Sequence, residues 1–256
     1  MEQANAVHST LKDCTGIVGH ACGRHGCYVP GSIVDLQKGE RQANVDWSFC
    51  EALKGMNLNG LPKVLLIYDI MCQWHKKFDE QVHDNPYLSH PNISLEKAIG
   101  AFHVHGHKDD CLHRYSTLLI PGIGWIDGEI LETLWSVLNN ISRSTRTATL
   151  AHRAEILDDH MNDSNWKKLV AMGRNFCVVL PVLNTYVFEV STITRKFERA
   201  KENTIDFTLY FEALTKAAPI TLLKQWKSEI EAAEAVRTDR PAAMDIMKPR
   251  IPKRRF

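Results

Sequence analysis

The sequence predicts an α/β protein with a largely helical C-terminal region. Three observations lead there. A short continuous apolar run, Lys63-Val64-Leu65-Leu66-Ile67-Tyr68-Asp69-Ile70, follows Pro62 and reads as a strand buried on both faces. Apolar residues at a spacing of four precede it (Val45, Phe49, Leu53), and a stripe of the same kind follows (Ile130, Leu134, Leu138, Ile141). From Leu150 onward the pattern is helical almost throughout. With 256 residues and 44% hydrophobic content, the chain can bury a core without staples. Lys+Arg 31 against Asp+Glu 30 leaves a net charge of +1, so bulk charge does not draw it to polyanions and any nucleic-acid contact must come from local patches. No apolar run approaches the ~20 residues that span a bilayer, so no membrane partner is expected. The polar start lacks a secretory pattern, and seven scattered cysteines suit a reduced, intracellular protein.

Residues 1–13 carry no pattern and read as a disordered lead-in. Between Thr15 and Leu36, β-branched pairs and a Pro30-Gly31 turn signal predict a hairpin. Lys38 to Lys54 reads as an amphipathic helix ended by Gly55. Asp69 then sits at the end of the apolar strand, where open α/β sheets place their sites. Asp79 to Ser94 is polar and Pro-interrupted, which predicts a surface connection. Asp127 is placed to cap the helix opening with Glu129. Leu150–Gly173, Phe176–Lys196 and Asp206–Val236 read as helices, with Val178–Val190 ambiguous. The end, residues 241–256, reads as a basic tail. Lys248, Arg250, Lys253, Arg254 and Arg255 form an acid-free cluster within it that suits nuclear import or phosphate contact.

Several groups of side chains have chemical potential. Asp69 at a strand end, with Glu129 and Glu132 at a helix start, offers carboxylates from separate rigid elements, as two-metal phosphoryl transfer requires, and hard oxygen ligands suit Mg²⁺ or Mn²⁺. The plainer account is that the acids merely favour helix N-termini. Seven of the twelve His, from His75 to His113, fall in a short span that also holds Cys72 and Cys111. In His103-Val104-His105-Gly106-His107 an extended backbone would put all three imidazoles on one face, fit for zinc or a similar ion. Cys14, His20, Cys22, His25 and Cys27 are a second His/Cys-rich stretch, more simply read as reduced thiols in a hairpin. Arg143, Arg146 and Arg153, with nearby hydroxyls, are candidate phosphate contacts. Trp135 and Trp166 read as core or as base-stacking platforms.

Taken in order, several strings resemble a known family. They are Val34-Asp35-Leu36-Gln37-Lys38-Gly39-Glu40-Arg41, Tyr68-Asp69-Ile70-Met71-Cys72-Gln73-Trp74, Phe102 to His107, Gly122-Ile123-Gly124-Trp125-Ile126-Asp127-Gly128-Glu129, Leu134-Trp135-Ser136, and Leu157 to Leu169. These are similar to the KDZ (Kyakuja–Dileera–Zisupton) transposases abundant in mushroom-forming fungi. The resemblance implies a partial RNase H-like core over 14–145, a helical region over 146–240, and DDE chemistry with two divalent ions. It implies Asp69 and Glu129 as catalytic metal ligands, with Glu132 as the alternative glutamate and His103 and His105 ordering the site or binding metal. DNA, other transposase chains and a nuclear location follow as partners and place of action. The family's first acid lies on an earlier strand, and Met1 to Asp13 contain no apolar strand ending in Asp. The expectation is therefore an N-terminally truncated chain, inactive alone. The Ser144-Thr145-Arg146-Thr147-Ala148-Thr149-Leu150 stretch also departs from the family's Gly-containing version. Two further readings stay open: a non-catalytic remnant that binds DNA or a transposase chain, and a His/Cys metal-binding protein unrelated to DNA.

Overall fold

A computed structural model describes residues 14–124, 126–176 and 186–248. The lead-in, part of the ambiguous Val178–Val190 stretch and the last eight residues lie outside the described residues.

The predicted hairpin forms. Strand β1 (Gly16–Val18) pairs antiparallel with β2 (Val34–Leu36), in the register Ile17 to Asp35. The loop between them is pinned by an Ala21–Tyr28 bridge, and Gly31 turns with φ +74, a value that suits glycine because it has no Cβ. Helix α1 (Gln42–Gly55) follows, and its Val45, Phe49 and Leu53 stripe is buried as the spacing predicts.

Strand β3 (Lys63–Ile67), helix α2 (Met71–Asp84) and strand β4 (Ser94–Ala98) make a parallel βαβ unit. Two expectations are corrected here. Of the five β3 residues only Leu66 is buried, because β3 is one edge of a two-stranded sheet rather than the centre of a wider one. And α2 runs on to Asp84 instead of giving way to a loop at Asp79, since Phe78 and Val82 extend the apolar face begun by Met71 and Trp74. Trp74 stacks on Phe78 at 4.5 Å and meets Phe49 edge-on at 5.6 Å. These rings, with Leu53, Met71, Ile99 and Tyr115, form the main core.

After a single 3-10 turn (His103–Gly106) come α3 (Asp109–Tyr115), α4 (Ile130–Leu138), α5 (Ser142–Thr147) and α6 (Leu150–Phe176). The Ile130, Leu134, Leu138, Ile141 stripe packs with Tyr28, Leu157 and Met161 into a second core. Asn165 completes it: its Oδ1 accepts from the Tyr28 amide at 2.8 Å and its Nδ2 donates to the Tyr28 carbonyl at 2.9 Å. This amide stands in for a strand partner and fastens α6 to the hairpin.

Helix α7 (Tyr186–Lys216) spans the gap expected between two helices, and Pro219 then forces a break before α8 (Ile220–Ala235). The expected tail begins instead as an ordered turn, Pro241–Met247, whose fully buried Met244 packs between α3 and α8. Among the described residues no helix is long and apolar enough to cross a membrane.

The fold is thus α/β with small sheets and a helical C-terminal half. Among the described residues the strands do not join in one sheet. Two two-stranded sheets stand apart, and a cavity of about 170 Å³ lies between β1 (Ile17, Val18) and β3 (Leu66, Ile67).

Candidate functional site

The acids meet at one end of that cavity, which Glu40, Asp69, Glu129 and Glu132 all line. Asp69 arrives from the β3–α2 junction, Glu129 and Glu132 from the start of α4, and Glu40 from the segment before α1. Among the described residues no Lys or Arg lines the cavity.

His103 joins them from the 3-10 turn. Its Nδ1 is 3.0 Å from Glu129 Oε2 and 3.5 Å from Asp69 Oδ1. Glu129 is held twice over, because its Oε1 also accepts from the Phe102 amide at 2.9 Å. Gly100 makes room for this carboxylate: a Cβ there would collide with it. Glu132 is free of such bonds among the hydrogen bonds of the described residues, and it is its carboxylate, with Asp69 and His103, that forms a group whose ligand atoms all lie within 4.8 Å of one another. The three come from separate elements, with Asp69 and His103 34 positions apart and His103 and Glu132 29.

The electrostatics suit a cation. Partial burial pushes the Asp69 carboxyl above its ordinary range, and the charges of Glu129, Glu132 and Glu40 add to that, while His103 opposes it. Oxygen-rich and with one imidazole, the donor set fits a hard or borderline divalent ion such as Mg²⁺ or Mn²⁺.

The other expected residues divide. His105 is exposed and joins neither this group nor any other metal-capable group of the described residues. The backbone is a tight turn rather than a strand, so the three imidazoles do not share a face. Asp127 does not cap α4: Glu129 occupies the cap position, and Asp127 Oδ1 accepts from the Glu129 amide at 3.1 Å. Arg146 and Arg153 line a larger cleft of about 770 Å³ that shares Ile17, Glu132 and Trp135 with the acidic cavity. Arg153 is committed to Asp35 at 3.1 Å, whereas Arg143 and Arg146 are exposed. Trp135 packs on Tyr28 and belongs to the second core, and Trp166 is exposed. The Cys14–Cys27 stretch assembles no three-ligand group among the described residues. Cys14 donates to Asp35 and His20 bonds Ser48.

Two things escaped sequence reasoning. Glu40 lines the acidic cavity and accepts from the Tyr68 hydroxyl, but it precedes a helix and has no spacing relation to the other acids. Cys72, His107 and Cys111 form a second compact group, with their ligand atoms within 4.8 Å of one another.

Comparison with known proteins bears on this geometry. A family model described as Kyakuja-Dileera-Zisupton transposase matches residues 1–165 of the 256. No curated protein and no solved structure matches the chain. The matched span holds the hairpin, both sheets, every acid of the cavity and the Asn165 clasp. On that match, the chain belongs to the Kyakuja–Dileera–Zisupton transposase family.

Proposed function

We propose that the acidic cavity is the DNA-processing centre of a DDE-type transposase with a partial RNase H-like core. Family membership implies a transposase function, divalent metal use and DNA as partner. The observation that carries the finer reading is the convergence of Asp69, His103 and Glu132. Asp69 and Glu132 are the residues that would hold Mg²⁺ or Mn²⁺, with His103 beside them. Glu129 is a positioning residue that fixes the His103 ring. When bound, the metal stabilises charge on the attacking and leaving phosphate oxygens. The chain's own residues supply the rest. Strand β3 and helix α4 hold the carboxylates at fixed separation, and the cleft running from Glu132 to Arg146 gives a DNA strand its course, with Arg143 and Arg146 neutralising phosphates.

Two-ion cleavage asks for a further carboxylate. In the RNase H-like reading, it belongs on a strand earlier in the chain than β1. A chain lacking that carboxylate would bind metal and DNA without turning over. The reading also places its work in the nucleus and beside other transposase chains, for which the exposed Phe207, Tyr210, Phe211 and Leu214 stripe of α7 is the candidate face.

Titration with Mn²⁺, followed by its electron paramagnetic resonance, tests the site. Binding should be abolished by Asp69→Asn and by Glu132→Gln and weakened by Glu129→Gln. Unchanged binding in the first two variants overturns it. Metal-dependent nicking of DNA by this chain would retain the site and overturn the expected inactivity. The second reading, a DNA-binding module, is favoured by the exposed Arg143 and Arg146. It requires DNA retention that falls with salt and falls further in Arg143→Ala and Arg146→Ala, and salt-insensitive retention removes it.

A further inference from the structure

The same two segments also carry a second, chemically opposite group. Cys72 is the second residue of α2, three positions beyond Asp69. His107 closes the 3-10 turn, four positions beyond His103. Cys111 is in α3. Cys111 is buried, and Cys72 and His107 are half-buried. Cys72 Sγ lies 3.4 Å from His107 Nδ1, and the two sulfurs and the nitrogen all fall within 4.8 Å of one another. Both cysteines are free thiols.

These separations are those of a metal site. A tetrahedral zinc bonded at about 2.1–2.3 Å holds its ligand atoms roughly 3.5–3.8 Å apart, so an ion can enter here with small side-chain adjustments. Two sulfurs and an imidazole are soft and borderline donors, which select zinc over magnesium or manganese. The acidic cavity has the reverse preference.

We propose that Cys72, His107 and Cys111 bind a zinc ion that clamps the start of α2 to the turn before α3. Binding displaces the two thiol protons to solvent, and a water takes the fourth position. The clamp joins the two segments that present Asp69 and His103, so its role is to hold those side chains in register. It does not depend on what the acidic cavity does.

The test uses the full chain purified under reducing conditions. Elemental analysis should find one zinc per chain, retained in Asp69→Asn, Glu132→Gln and His105→Ala and lost in Cys72→Ser, Cys111→Ser and His107→Ala. Because a cysteine variant can fail to fold, Co²⁺ is also added to metal-free wild-type protein. A tetrahedral cobalt spectrum with thiolate charge-transfer absorption is expected, and alkylating Cys72 and Cys111 beforehand should remove it. Zinc that persists in the three ligand variants, a cobalt spectrum without thiolate bands, or a Cys72–Cys111 disulfide found by mass spectrometry in the native protein would each overturn the proposal. Loss of Mn²⁺ binding in the acidic-cavity variants with zinc intact would separate the two sites.

Discussion

The main core and helix α7 use the same residue types to opposite ends. Around Trp74 (2% exposed) the aromatic rings touch one another, and the Trp74 indole N–H donates to the buried Asp46 at 2.7 Å. On α7, Phe207 (73% exposed), Tyr210, Phe211 and Leu214 fall at a spacing of three and four and face solvent. Spacing alone therefore reports that a helix has an apolar side and says nothing about whether the chain itself covers it. Stability resides in the first region, and the second contributes a surface.

Substitutions can break that contrast. Trp74→Ala should have the largest effect, about 4–5 kcal/mol by urea unfolding, because it opens a cavity and leaves the buried Asp46 carboxylate without its donor. A loss below about 2 kcal/mol would mean that the core is not the stabilising region. Arg237→Ala comes next, at about 3 kcal/mol. This side chain is 2% exposed, donates to the Leu119 and Arg114 carbonyls and faces the buried Glu96 at 3.7 Å, so removing it strands a charge inside.

Acidification probes the same core. Burial holds His20 and His75 at about 4, below their ordinary 6.5. The unfolded chain takes up their protons first, so their contribution is complete above pH 6.5 and disappears as pH falls toward 4. The expected loss is on the order of 1–2 kcal/mol per histidine, discounted for partial exposure, and His75→Gln should flatten the profile. The smallest effect belongs to α7. Phe207→Ser with Phe211→Ser should shift stability by no more than about 0.5 kcal/mol while reducing any self-association seen by light scattering. A large stability loss there would show that the stripe is already covered.

What the sequence disclosed follows from how local each signal is. The hairpin, α1, the β3–Asp69 end and the α4 stripe rest on neighbours within a few residues, and all formed. Strand β4 was missed because Ser94-Leu95-Glu96-Lys97-Ala98 carries a glutamate that ends up buried. Its partners are Lys63, Thr238 and Arg237, and the latter two lie some 140 residues along the chain, beyond any local pattern. The histidine string was legible as a cluster and not as geometry. The 3-10 turn sends His103 to the carboxylates, His107 to the cysteines and His105 to solvent, a division set by how α3 packs on α2. Likewise, spacing could not show that Glu129 would be held by the amide of Phe102 beside the bare Cα of Gly100 while Glu132 would not.

The Asn165 clasp and the Lys168 ammonium, which donates to the Gly26 carbonyl, tie α6 to the hairpin, and α8 returns to the core on the Pro241–Met247 turn. Helix α7, 31 residues long, lies between these two moorings and carries none of the acids of the cavity. Lengthening α7 by one turn would add about 5.4 Å to that helix and change none of the elements that carry the acids. The length of that helix and the chemistry of the cavity are thus set by different parts of the chain.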